Sequence, residues 1–173
     1  MGRFKLVISA ALAAVAGFGS APSAADRVSG LITRTYVIVE DTDLTGDVLC
    51  EVTGAPCFAF GAANVRLRLN GFTITGRADA VTGCGGAATM AESGVNTGQQ
   101  NGVEILGPGV IQRFRFHGVQ VAGSRDVRVE NITASTNCAA GIFVNGVSFG
   151  ALIQGNVALR NGSTMPGFSC GGV

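Results

Sequence analysis

The densest run of chemically capable side chains is "RFRFHG", residues 113–118, which sets Arg113, Arg115 and His117 two apart with Phe114 and Phe116 between them. On an extended strand alternate side chains share a face. The spacing therefore predicts Phe114 and Phe116 packed inward and Arg113, Arg115 and His117 projecting outward together. Two guanidinium groups so placed can grip one carboxylate through forked hydrogen bonds, and an imidazole beside them can act as a base near neutral pH. The bland reading of the same residues is a solvated basic strip. Alternation can also break at Gly118 and point His117 elsewhere.

Carboxylates cluster only in "EDTDLTGD", where Asp41, Asp43 and Asp47 resemble a fragment of a calcium loop. The other ligands of such a loop are missing, and turns use the same residues. Calcium is thus the one ion these residues suggest, and no other cofactor is expected. A zinc site is not expected either: there is no CxxC, and His117 is the chain's single histidine.

These residues have to be held by something, and the composition limits what. The chain has 173 residues, is 47% hydrophobic and 13% charged, and contains 27 glycines. That describes a folded chain rich in tight turns, not a disordered one. A net charge of +1 gives no electrostatic footprint for nucleic acid or an anionic membrane surface. Residues 1–25 read as a secretory signal peptide, with Arg3 and Lys5, an apolar run from Leu6 to Phe18, and Ser23, Ala24 and Ala25 before Asp26. The apolar run is too short to span a bilayer, so no membrane span is expected in the mature chain, and a secreted or periplasmic location follows.

An exported chain can use its five cysteines as disulfides. Cys50 and Cys57 flank "EVTGAP", whose Gly54 and Pro56 favour a reversal that brings the sulfurs together.

The rest of the chain repeats. Val103, Val127 and Ala151 are spaced by 24, as are Ile105, Val129 and Ile153, and Asn137 and Asn161. "NVRLRLNGFTITG" shows the same pattern displaced by 38, which places an inserted loop at about residues 77–100. Between these strands Gly118, Val119 and Val121 recur as Gly141, Ile142 and Val144, 23 residues on. A period of two over four or five residues marks strands with one buried face, and strands so short must stack on one another. The fold expected is an all-β parallel β-helix of about 24 residues per coil, with residues 26–63 as an N-terminal cap and first strands and 64–173 as coils. Asn137 and Asn161 fit a corner ladder. In this register Cys138, Cys84 and Cys170 gather along one edge, leaving Cys138 with Cys170, Cys84 with Cys138, or three free thiols as alternatives. After Asn161 the chain runs "GSTMPGFSCGGV" with no helix or polar cap over the last coil, so either it is a fragment or that open coil self-associates.

Residues 101–162, with "GPGVIQRF", "GVQVAGSRDVRVENITASTN" and "AGIFVNGVSFGALIQGNVALRNG", resemble the right-handed parallel β-helix repeats of the pectate-lyase-like superfamily, over roughly residues 64–173. The resemblance implies right-handed coiling and carbohydrate-active chemistry: lyases, hydrolases and epimerases acting on acidic polysaccharides, beside members of no assigned activity. Uronate elimination needs a cation on the carboxylate and a base for the adjacent proton, the roles Arg113 and Arg115, and then His117, would take. The Asn-Thr-Asp, Asp-Asp and Gly-His-Gly blocks of polygalacturonases and the Asp-Pro-His-Asp block of alginate epimerases do not occur in residues 26–173. The expected function is binding or acting on a polysaccharide, an acidic glycan being favoured and a lyase the enzyme class if it is one. The alternative is a non-catalytic structural or surface-interaction protein.

Overall fold

The computed structural model describes residues 24–78, 84 and 89–162. These residues are all-β with almost no helix, and every strand pairing is parallel. The strands are β1 (Asp26–Ile32), β2 (Tyr36–Ile38), β3 (Thr42–Cys50), β4 (Phe58–Phe60), β5 (Arg66–Arg68), β6 (Thr73–Thr75), β7 (Val95–Asn96), β8 (Glu104–Gln112), β9 (Val119–Ala122), β10 (Arg128–Ser135), β11 (Ile142–Asn145), β12 (Leu152–Gln154) and β13 (Val157–Leu159). The larger sheet runs β1-β3-β5-β8-β10-β12, with β6 paired to β3 and β8 and β13 paired to β10; the smaller runs β2-β4-β7-β9-β11. The chain alternates between the two sheets and each time joins the neighbouring position, so each passage adds one tier.

The 24-residue columns are pairing partners: Ile105 lies beside Val129 and Val129 beside Ile153. The Arg128 N–H donates to the Val103 carbonyl (3.0 Å) and the Leu152 N–H to that of Val127 (2.8 Å), which stacks the Val103, Val127 and Ala151 column. The displacement of 38 appears as Leu67 beside Ile105, and that of 23 as Val119 beside Ile142. Apolar side chains between the sheets, among them Leu67, Ile74, Ile105, Ile111, Val129 and Ile142, are almost wholly buried, each stabilising the fold by about 1.5–3 kcal/mol.

Tiers also exist where no 24-residue spacing reveals them. Residues 26–63 hold β1 to β4, which lie in the same two sheets; Val28 pairs with Leu44 and Tyr36 with Phe58, spacings of 16 and 22. The excursion after Arg77 ends at Gly94, since Val95 pairs with Phe58 and Val119. A Cβ on Gly94 would lie 2.6 Å from the Gly118 carbonyl, and one on Gly118 2.6 Å from that of Gly141. Only glycine lets these backbones stack so closely.

Asn137 holds the corner between the larger and smaller sheets. Its Oδ1 accepts from the Phe114 N–H (3.0 Å), its Nδ2 donates to the Ile111 carbonyl (3.3 Å), and its own N–H donates to Asn161 Oδ1 (3.0 Å). Asn161 Nδ2 in turn donates to the Ala134 carbonyl (2.9 Å). The ladder is structural.

Two disulfides fit an oxidising environment: Cys50–Cys57, with Cα atoms 6.0 Å apart, and Cys84–Cys138, 5.5 Å apart. The pairing of Cys138 with Cys170 is therefore corrected. Cys84 takes the Cys138 sulfur, and Cys170 lies outside the described residues.

Candidate functional site

The corner at residues 113–118 does not present three side chains on one face. Strand β8 ends at Gln112 and Arg113 takes a left-handed φ of 60°, so strand alternation stops before the motif begins. Phe114 and Phe116 are buried as expected. Arg113 is exposed, with Nε donating to the Ala78 carbonyl (2.8 Å). Arg115 is half-buried, its Nε 3.4 Å from Oε2 of the buried Glu92 and without a hydrogen bond. Glu92 Oε1 also accepts from the Gly54 N–H (2.8 Å), so this acid links two tiers.

His117 is only 3% exposed, a correction to its expected outward position. Its Nδ1 accepts from the Ala140 N–H (3.1 Å), which requires the neutral tautomer with hydrogen on Nε2. Nε2 itself is buried without a hydrogen-bond partner. The ring stacks on Phe143, with centroids 4.2 Å apart and planes at 7°, and lies 3.8 Å from the Phe116 ring. Burial lowers its pKa to about 4. A histidine so enclosed holds the backbone of the next tier; it does not share an open surface with Arg113.

The outer face of the larger sheet holds the denser cluster of charge. In its first half Arg66, Glu104 and Arg128 are successive partners in register. Arg68 reaches Asp43 (3.0 Å) and Asp41 (3.3 Å), Arg66 reaches Asp41 (3.4 Å) and Glu104 (3.5 Å), and Arg128 reaches Glu104 (3.1 Å) and Glu130 (2.8 Å). These partners hold Arg68 and Arg128 above the ordinary guanidinium range. Alternating charge favours this register, because like charges side by side repel. Asp47 instead accepts from the Thr73 N–H (2.8 Å). Thus Asp41 and Asp43 turn to arginines and Asp47 to a backbone amide, and no group of three His, Cys, Asp or Glu suited to a metal occurs among the described residues. The signal for this ladder was present in the sequence as Arg66, Glu104 and Arg128, spaced 38 and 24, the repeat's own spacings.

The second half of the same face is different. Thr75, Gln112, Ser135 and Leu159 form one outward column, and Thr73, Val110, Thr133 and Val157 another. None of these eight side chains is charged, and Asp47 of β3 adjoins the second column at Thr73. Their in-between neighbours Ile74, Ile111 and Ala134 are buried.

Comparison with family models, with curated proteins and with solved structures returned no match.

Proposed function

We propose that the chain is an exported right-handed parallel β-helix that binds an acidic polysaccharide without cleaving it. The observation that carries this reading is the outer face of the larger sheet, where parallel strands set side chains in register tier after tier at about 4.8 Å. A polymer with a regular repeat can meet such a surface many times over, and many weak contacts then add. Right-handedness rests on the preference of parallel crossovers for that hand, and export on the two disulfides and the character of residues 1–25. Binding is preferred over elimination because the one histidine is enclosed and committed to the Ala140 amide, and because Arg115 is tied to Glu92.

A glycan array, followed by incubation of the bound glycan while watching for the ultraviolet absorbance of an unsaturated product, tests the reading. Binding without that product is expected. Product formation overturns the non-catalytic reading, and absence of all glycan binding leaves a structural role. The exposed Val144, Leu152 and Leu159 of the later described tiers favour that second reading, with self-association through these side chains.

A further inference from the structure

The sequence holds four Asn-Gly pairs, at 70–71, 101–102, 145–146 and 161–162. Asparagine is a thermolabile residue, and a glycine after it has no side chain to shield its nitrogen, so each pair can undergo one spontaneous reaction. The glycine nitrogen gives up its proton and attacks the asparagine side-chain carbonyl carbon; the amide leaves as ammonia and a succinimide ring closes. Water then opens the ring at either carbonyl, which leaves aspartate or isoaspartate and one new negative charge. The reaction needs a carboxamide free to turn and a glycine N–H free to lose its proton.

Three of the pairs have neither. Asn70 Nδ2 donates to the Leu44 carbonyl (3.1 Å) and the Gly71 N–H to that of Pro108 (2.6 Å). Asn101 Oδ1 accepts from the Arg125 N–H (2.9 Å), and the Gly102 N–H donates back to the Arg125 carbonyl (2.8 Å). Asn161 is held in the corner ladder through both Oδ1 and Nδ2, and the Gly162 N–H donates to the Asn137 carbonyl (2.9 Å). Exposure does not separate the pairs, since Asn70, Asn101 and Asn145 are all exposed; hydrogen bonding does.

The remaining pair is different. Asn145 ends β11 and Gly146 begins the turn after it, both exposed. Among the described residues neither the Asn145 carboxamide nor the Gly146 N–H makes a hydrogen bond. A Cβ on Gly102 would lie 2.3 Å from Asn64 Oδ1, whereas one on Gly146 would meet nothing nearer than the Gly123 nitrogen at 3.7 Å, so Gly146 is not packed against a neighbour. Ser148 Oγ donates to the Asn145 backbone carbonyl (2.8 Å) and accepts from the Ser124 N–H (3.4 Å). That carbonyl belongs to the same peptide unit as the Gly146 nitrogen, so a donor on it draws off the negative charge that deprotonation creates. We infer that Asn145 and Gly146 form a self-modifying site: the fold lets this asparagine convert to aspartate and isoaspartate, with Ser148 activating the attacking nitrogen, and protects the other three. The new carboxylate arrives beside Val144 and Val147, 42% and 70% exposed, and makes this apolar surface more acidic as the molecule ages.

The test incubates the whole protein at mildly alkaline pH, folded in buffer or unfolded in urea, and maps the amide-to-acid mass change by peptide mass spectrometry. Labelling with an isoaspartyl methyltransferase marks the isoaspartate. In the folded protein Asn145 should convert, while Asn70, Asn101 and Asn161 should lag it by roughly tenfold or more, since each must first break at least two hydrogen bonds. In urea all four should convert at similar rates. Ser148→Ala should slow folded-state conversion at Asn145 by roughly threefold or more and leave the rate in urea unchanged, and Asn145→Gln should remove nearly all labelling from the folded protein. Conversion in the folded protein at any of the other three pairs as fast as at Asn145 overturns the inference, and so does an Asn145 that stays as intact as they do. A Ser148→Ala rate equal to the parent's or above it overturns the role of Ser148.

Discussion

His117 shows how much one side chain's surroundings change its chemistry. In the unfolded chain an imidazole titrates near 6.5, but burial in the folded protein takes His117 to about 4. Between those values the unfolded chain binds a proton that the folded one refuses, so stability is complete above about pH 6.5 and falls as the pH falls toward 4. Lowering the pH from 7.5 to 5 should cost about 2 kcal/mol in urea unfolding, most of the carboxylates titrating below that window. His117→Gln, with an amide oxygen for the Ala140 N–H, should remove most of that slope. An equal slope in the variant would show that other groups carry it. Glu92 is the companion case, an acid 6% exposed that holds both Gly54 and Arg115. Glu92→Leu should destabilise by about 2–4 kcal/mol, because it leaves the Gly54 N–H without its acceptor and the half-buried Arg115 guanidinium without its ion-pair partner.

At the scale of the element, the tier is fixed by its interior columns and its corner. Val127 is fully buried between partners on both sides, so Val127→Asp should cost several kcal/mol and be visible as a large fall in the urea midpoint. The ladder should be graded: Asn137→Ala strands the Phe114 amide and the Ile111 carbonyl inside the stack and should cost about 2–4 kcal/mol, whereas Asn161→Ala, at a less buried corner, should cost less. Equal effects would place the ladder's weight elsewhere. These elements were readable in the sequence because their spacings repeat. From Val103 onward each tier takes 23 or 24 residues, and valines and isoleucines alternate within it. The tiers built by β1 to β4 were not readable, since spacings of 16, 18 and 22 fall outside that period. β7 was hidden inside an apparent loop because two residues, Val95 and Asn96, are too few to show alternation. The position of His117 was misread because strand alternation was extended past Gln112, where the backbone leaves the strand. The charged ladder and the uncharged strip become visible only when neighbouring tiers are aligned, which pairing fixes and single-strand pattern does not.

For the whole molecule, the two disulfides act at different ranges. In the described residues the β1 end keeps its interior covered, with Val28 8% and Ile38 0% exposed, while at the other end Val144 is 42% exposed above a wholly buried Val121. Stability along a stack is close to a sum of tier contributions and contacts between neighbours, so the tier of β11, with its more exposed Val144, should loosen before that of β3. Cys84–Cys138 binds the segment after β6 to the corner following β10 across a sequence separation of 54, whereas Cys50–Cys57 closes a separation of 7. Loop-closure entropy then assigns about 4 kcal/mol to the first and about 2 kcal/mol to the second. Replacing Cys84 and Cys138 together by serine should therefore lower the thermal midpoint more than replacing Cys50 and Cys57, and hydrogen exchange should rise first in β10 and β11 and last in β3. Faster exchange in β3 than in β11 would reverse that order and show that the stack unravels from its closed end.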